Sequence, residues 1–294
     1  LAMYAARRKV LDMLHDHVLT VPDAEELLDA MEAAATPTEP SVPRPELIGD
    51  SGWNRQFLKT LDKIAATQSP VLVQGEPGTG KALIAQMIHY QSQRASGPFI
   101  QVDCSALPDA LVDSELFGHE KGAFTGAHQR RLGRVELARG GTLLLGPIEA
   151  LSPETQMKLL RLLEEGTFER LGGTDSLESD VRIVAATGED LKKLVDGGEF
   201  RSDLYYQLSV SVLQTAPLRE RRDDIATLVA HFLQGKAKRD STVPLKASQE
   251  AIEILSAHDW PGNVAELANA VEKAAMQCEG DEIEPAHLPE LAEV

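Results

Sequence analysis

The chain has 294 residues and a mass of 31.9 kDa, room for about two domains of roughly 150 residues each. With 43% hydrophobic and 26% charged residues it is neither a wholly disordered nor a collagen-like chain. Lys and Arg number 29 against 46 Asp and Glu, a formal charge of −17, which excludes a chain that is basic throughout and clamps nucleic acid.

Two cysteines, Cys104 and Cys278, cannot build a disulfide framework or a multi-thiolate metal centre. The sequence contains neither an apolar run of about 18 residues nor a secretory signal core. The expectation is a reduced, cytoplasmic setting with no membrane partner.

Residues 1–34 read as a small helical hairpin. Val10, Leu11 and Leu14 share one face of the first helix, and Leu27, Leu28 and Met31 one face of the second. Residues 35–46 form a proline-rich linker, since Pro37, Pro40, Pro43 and Pro45 stop both helix and sheet. From residue 47 to 216, short apolar runs alternate with helical stretches. Val71–Val73, Phe99–Val102, Thr142–Leu145 and Val181–Val184 read as strands, and Ala82–Gln93 as a helix. That alternation predicts a parallel sheet with helices on both faces. Residues 217–294 carry helical signals and are expected to form an all-α subdomain. Met157, Leu159, Leu160, Leu162 and Leu163 are assigned to the core.

Gly75-Glu76-Pro77-Gly78-Thr79-Gly80-Lys81 follows the first strand and opens a helix, the setting a phosphate-binding loop requires. Its glycines let backbone N–H groups turn toward phosphate oxygens, with the helix N-terminus behind them. Lys81 supplies a point charge for the outer phosphates. Ala82 stands where a Ser or Thr hydroxyl would reach Mg²⁺.

Ser114-Glu115-Leu116-Phe117-Gly118-His119-Glu120-Lys121, followed by Gly122-Ala123-Phe124-Thr125-Gly126-Ala127, resembles the signature of the sigma-54-interacting AAA+ domain of bacterial enhancer-binding proteins. Gly140–Leu143, Phe200-Arg201, Asp203–Tyr206, Pro217–Arg221 and Trp260–Val264 extend the likeness over about residues 47–290. The resemblance implies an AAA+ α/β core with a helical lid, assembly into rings, and ATP hydrolysis that remodels sigma-54 RNA polymerase. It also implies that Gly122–Ala127 tips a loop touching sigma-54. The residues suit that role, because Gly122 and Gly126 give backbone freedom and Phe124 offers an apolar anchor.

Against the family pattern, six chemical positions differ. The Asp-Glu pair after the third strand, which orders the Mg²⁺ shell and polarises water, is Gly146-Pro147. The switch Asn is Asp103, and the sensor Asn is Gly188. Of two arginines that reach a neighbouring subunit's nucleotide, Arg201 remains and the other is Gln207. The lid sensor Arg is Ala265. A positioned base contributes roughly 10²–10⁴ in rate.

These departures lead to one expectation: a regulatory subunit that binds ATP or ADP, holds Mg²⁺ weakly or not at all, and does not hydrolyse. Its partners would be sigma-54, sigma-54 RNA polymerase or an active AAA+ activator, in a homo- or hetero-oligomeric ring. The acidic stretch Glu279–Glu284 and the absence of a helix-turn-helix after it point away from sequence-specific DNA binding. Two alternatives stand beside this. One is a slow ATPase using Asp103 or Glu149 as a metal ligand; the other is a nucleotide-free scaffold working through the hairpin.

Overall fold

The computed structural model describes residues 45–106, 109–124 and 127–289. The hairpin at 1–34, nearly all of the linker at 35–46, and the loop residues Thr125 and Gly126 lie outside the described residues.

Five parallel strands make the central sheet: β1 (Val71–Gln74), β2 (Phe99–Asp103), β3 (Thr142–Gly146), β4 (Arg182–Thr187) and β5 (Val212–Gln214). Their order is β2-β3-β4-β1-β5. The sequence signals find the first four, with β1, β2 and β3 each running one residue further and β4 covering 182–187 rather than 181–184. β5 is absent from the sequence reading. With only three residues, of which Leu213 alone is buried, it makes no apolar run.

β4 is buried along its whole length, as the strand between β3 and β1 must be. It starts with a buried charge, Arg182. The Arg182 guanidinium donates to the carbonyls of Ala65 at 3.0 Å and Ile64 at 2.8 Å, at the C-terminus of α1 (Gly52–Ala65). These carbonyls lie at the negative end of the helix dipole, and Ile64 also accepts from the Thr67 amide and hydroxyl, so the charge is solvated by backbone rather than water.

α2 (Lys81–Tyr90) is the next element after β1, across the loop 75–80, and is three residues shorter at its end than the 82–93 reading. α3 (Asp109–Phe117) leads into the contact-loop segment. α4 (Pro153–Glu165) is bounded by its own chemistry. The Ser152 hydroxyl accepts from the Thr155 amide, Pro153 sits in the first turn, and Gly166 ends the helix at φ 68°. It buries Leu159, Leu160 and Leu162, leaves Leu163 partly covered, and turns Met157 outward at 54% exposure. The assignment of Met157 to the core is therefore wrong: its position on α4 falls on the solvent side of the stripe. α5 (Ser202–Leu208) packs on α4 and carries Arg201 at its start.

C-terminal to β5 the chain is mostly helical: α6 (Ile225–Asp240), α7 (Gln249–Ala257) and α8 (Asn263–Gln277). They enclose a separate apolar cluster around the fully buried Trp260, whose indole N–H donates to the Leu255 carbonyl at 2.7 Å.

Candidate nucleotide site

The loop from Gly75 to Gly80 joins the end of β1 to the start of α2. Lys81 turns back over it, donating to the carbonyls of Gly75 at 2.6 Å and Glu76 at 2.9 Å. Burial holds its pKa below the usual lysine value, while the nearby Glu149 carboxylate opposes that shift. The Thr79 hydroxyl donates to the Glu76 carbonyl at 2.8 Å and accepts from the Thr215 hydroxyl at 2.9 Å.

The helical part reaches into this loop. A Cβ at Gly78 would stand 2.1 Å from the Gly262 carbonyl oxygen, so only glycine lets the two backbones approach this closely. The Ala265 amide donates to the Gly78 carbonyl at 3.3 Å. Arg219 grips the Glu76 carboxylate with two hydrogen bonds of 2.8 and 2.6 Å, and Asn263 adds a third at 3.1 Å. These donors, Arg219 above all, pull the Glu76 pKa down to about 2. Asn263 also receives the Leu218 amide at 2.8 Å and donates to the Pro77 carbonyl at 3.0 Å. Arg221 is buried, lies 4.9 Å over the Trp53 ring and donates to the Thr79 carbonyl at 3.4 Å. None of the Glu76 pairings was visible in sequence, because the partners lie 143 and 187 residues away.

Beside Lys81 lies a cavity of about 360 Å³, bounded by the ends of β3 and β4. Pro77, Ala82, Gly146, Pro147, Glu149 and Gly188 are part of its wall. The phosphate part of the site fits a nucleotide: a glycine loop, a ten-residue helix behind it and an inward lysine. The metal part does not, since Ala82, Gly146 and Pro147 present no side-chain donor. Among the described residues no group of three or more His, Cys, Asp or Glu side chains is placed to hold a metal ion.

The remaining positions are dispersed as follows. Asp103 pairs in register with Gly146, but its Oδ1 accepts from the Ser105 amide at 2.9 Å and hydroxyl at 2.7 Å. It is exposed and held by Ser105, while its register partner Gly146 belongs to the cavity wall. Glu149 does belong to the wall: its Oε1 accepts from the Gly188 amide at 3.1 Å, and its buried Oε2 has no hydrogen-bond partner among the described residues. Arg201 is exposed and pairs with Asp203 at 2.7 Å; Gln207 reaches Glu164 at 3.4 Å.

The contact-loop segment stands on an ion-pair base. Arg170, nearly buried, binds Glu136 and Glu120, each at 2.8 Å, and Glu120 precedes the loop. Gly122 has φ 86° with open space where a Cβ would be, and its amide donates to the Ala127 carbonyl at 2.8 Å, closing the segment. Ala123 follows it, and Ala127 is buried. Phe124 is 40% exposed, its ring edge-on to His119 at 5.0 Å. The Phe124 ring is thus available at the surface, as an apolar anchor must be.

A glycine loop between strand and helix, a β2-β3-β4-β1-β5 parallel sheet and a helical lid closing on that loop define an AAA+ P-loop protein. Residues 47–214 match the Sigma-54 interaction domain family and residues 219–293 the AAA+ ATPase lid domain; the chain belongs to the sigma-54 interaction family. It is 51% identical over 233 residues to a Nif-specific regulatory protein of Azotobacter vinelandii, covering 79% of this chain and 44% of that protein. It is 49% identical over 233 residues to the regulatory protein AtoC of Escherichia coli, covering 79% and 50% respectively. The chain thus spans about half the length of the curated relatives it matches. Among solved structures, NtrX from Brucella abortus in complex with ATP superposes with a TM-score of 0.81 at 36% identity, covering 92% of this chain and 60% of that one. Its ADP complex gives 0.80 at 35%, covering 92% and 59%.

Proposed function

We propose that this chain is a sigma-54-type transcription regulator domain that binds ATP or ADP through Gly75–Ala82 and does not hydrolyse it. One observation carries the reading: the wall beside Lys81 presents Gly146, Pro147 and Gly188 where the family has Asp, Glu and Asn. The phosphate cradle is whole, and the groups that would order metal, water and the terminal phosphate are not. The ATP and ADP complexes of NtrX support the binding half of this reading.

Removing a base costs roughly 10²–10⁴ in rate. A trans arginine accounts for about 10³–10⁵ in phosphoryl-transfer enzymes. Such groups act as a unit, so the losses do not multiply, yet either one is large. The lid position that carries the sensor arginine is Ala265, whose amide donates to the Gly78 carbonyl and whose side chain ends at a methyl.

The output is protein contact. The segment 122–127 presents Phe124 to sigma-54 or to an active AAA+ partner, and Arg201, paired with Asp203, lies exposed at the start of α5 where a neighbouring subunit in a homo- or hetero-oligomeric ring can reach it. Purified sigma-54 and a family ATPase, each immobilised in turn, test this. Binding of the parent to at least one, lost in Phe124→Ala, is expected; retained affinity in that variant contradicts the role of the loop.

A further inference from the structure

The nucleotide site holds a carboxylate, Glu149, beyond the positions that the family resemblance accounts for. Glu149 lies two residues past Pro147, in a single 3-10 turn between β3 and α4. That turn swings its side chain across the end of β3 to β4, where the Gly188 amide fixes one carboxylate oxygen. The approach does not depend on glycine at this position, since a Cβ there would stand at an ordinary contact distance of 3.8 Å from Glu149 Oε1. The second oxygen is buried and unpartnered among the described residues. A buried carboxylate oxygen with no donor is costly, and the cost grows when another anion arrives.

The cations nearby offset it only in part: Lys81 is attracted to Glu149, but its ammonium donates to the Gly75 and Glu76 carbonyls. Among the described residues lining the cavity, Lys81 is the one cation, and Glu149 and Glu189 are both carboxylates. Arg219 is engaged by Glu76, Arg221 faces Thr79 and Trp53, and the lid sensor position is Ala265. The glycine loop and the N-terminus of α2 serve the inner phosphates. A terminal phosphate would add charge toward the strand ends, where Glu149 is held.

We infer that Glu149 is a specificity-determining residue that makes this site select a nucleoside diphosphate over the triphosphate. The inference rests on the nucleotide-binding reading above and sharpens it: ADP is the preferred ligand, and the chain is set in one nucleotide state rather than cycling between two. In a mixed ring, such a subunit would stay in the diphosphate form while its neighbours turn over.

Titration calorimetry with ADP and with ATP, each in EDTA and in Mg²⁺, tests this on the parent and on Glu149→Gln. Glutamine keeps the acceptor for the Gly188 amide and removes the charge. In EDTA the parent should bind ADP about tenfold more tightly than ATP, as expected for one like-charge encounter in a partly buried site. In Glu149→Gln the gap should close to within about twofold through tighter ATP binding, with ADP affinity nearly unchanged. A gap that persists in the variant overturns the inference. So does a Mg²⁺-dependent gain in ATP affinity that the parent shows and Glu149→Gln lacks, because Glu149 would then be a cation ligand. If a folded parent binds neither nucleotide, the nucleotide reading itself fails and the selectivity falls with it. Normal ADP binding with an unchanged gap sinks the selectivity alone.

Discussion

The Glu149 carboxylate and the Gly188 amide are joined by a 3.1 Å hydrogen bond across 39 residues. A side chain from the turn after β3 and the backbone at the end of β4 thereby meet in one place. Where a sensor amide and a catalytic carboxylate would face the terminal phosphate, a glycine backbone holds a carboxylate that arrives from further along the chain. The wall beside Lys81 thus carries the Glu149 carboxylate next to the Gly188 backbone.

The backbone around Gly146 leaves little room for a side chain. A Cβ on Gly146 would lie 3.0 Å from Ala186 Cβ and 3.2 Å from its carbonyl oxygen, on the adjacent strand β4. Gly146→Asp should therefore lower the melting temperature, as overpacking of about 1–3 kcal/mol does. It should not restore phosphate release, since Pro147, Gly188 and Gln207 are unchanged. Thermal denaturation checks the first half, and an unchanged or raised melting point contradicts it.

The clamp on Glu76 gives a pH signature. Its pKa falls from the model-peptide value of 4.5 to about 2 in the folded chain, so the clamp contributes fully above about pH 4.5 and is lost as pH falls toward 2. Because the Arg219 and Glu76 side chains are 39% and 38% exposed, solvent screening limits the effect to about 1 kcal/mol or less. Glu76→Gln should flatten the acid limb of stability between those two pH values. Urea denaturation at pH 5 and pH 3 measures it, and an identical acid limb in the variant refutes the assignment.

The two thiols should differ sharply. Cys104 is 2% exposed, and burial raises its pKa to about 12, so almost no thiolate forms at neutral pH. Cys278 is partly exposed. Iodoacetamide at pH 8 should label Cys278 and leave Cys104 unmodified in the native protein, with both labelled after unfolding. Mass spectrometry of the digest reads the outcome; native labelling of Cys104 would contradict the burial of β2's end.

Phe124→Ala separates contact from stability. The ring is 40% exposed and touches one partner edge-on, so its loss should change the melting temperature little. An aromatic interface anchor truncated to Ala costs about 2 kcal/mol or more in binding, a loss of roughly thirtyfold. A large stability loss with unchanged partner affinity would make Phe124 a packing residue instead.

What could be read in the sequence follows from how local each feature is. The phosphate loop, four strands and the 122–127 segment are written in contiguous residues, and their periodicity or motif survives without the fold. Strand β5 was missed because Val212, Leu213 and Gln214 alternate exposed and buried and depend on β1 for pairing. Met157 was misplaced because a run of apolar residues does not say which helical face meets the sheet. Glu149 could be named as a candidate by proximity to Pro147, but its partner Gly188 comes from another strand. The Glu76–Arg219–Asn263 clamp required the lid to close on the loop, which no local pattern encodes.

The most direct test is phosphate release measured alongside nucleotide binding on the same purified chain, with Lys81→Ala as the binding-deficient control. Saturable binding of ADP or ATP by the parent, lost in Lys81→Ala, with no Mg²⁺-stimulated phosphate release, is the predicted result. Sustained Mg²⁺-dependent turnover by the parent, absent in Lys81→Ala, would contradict a centre that has lost its hydrolytic groups.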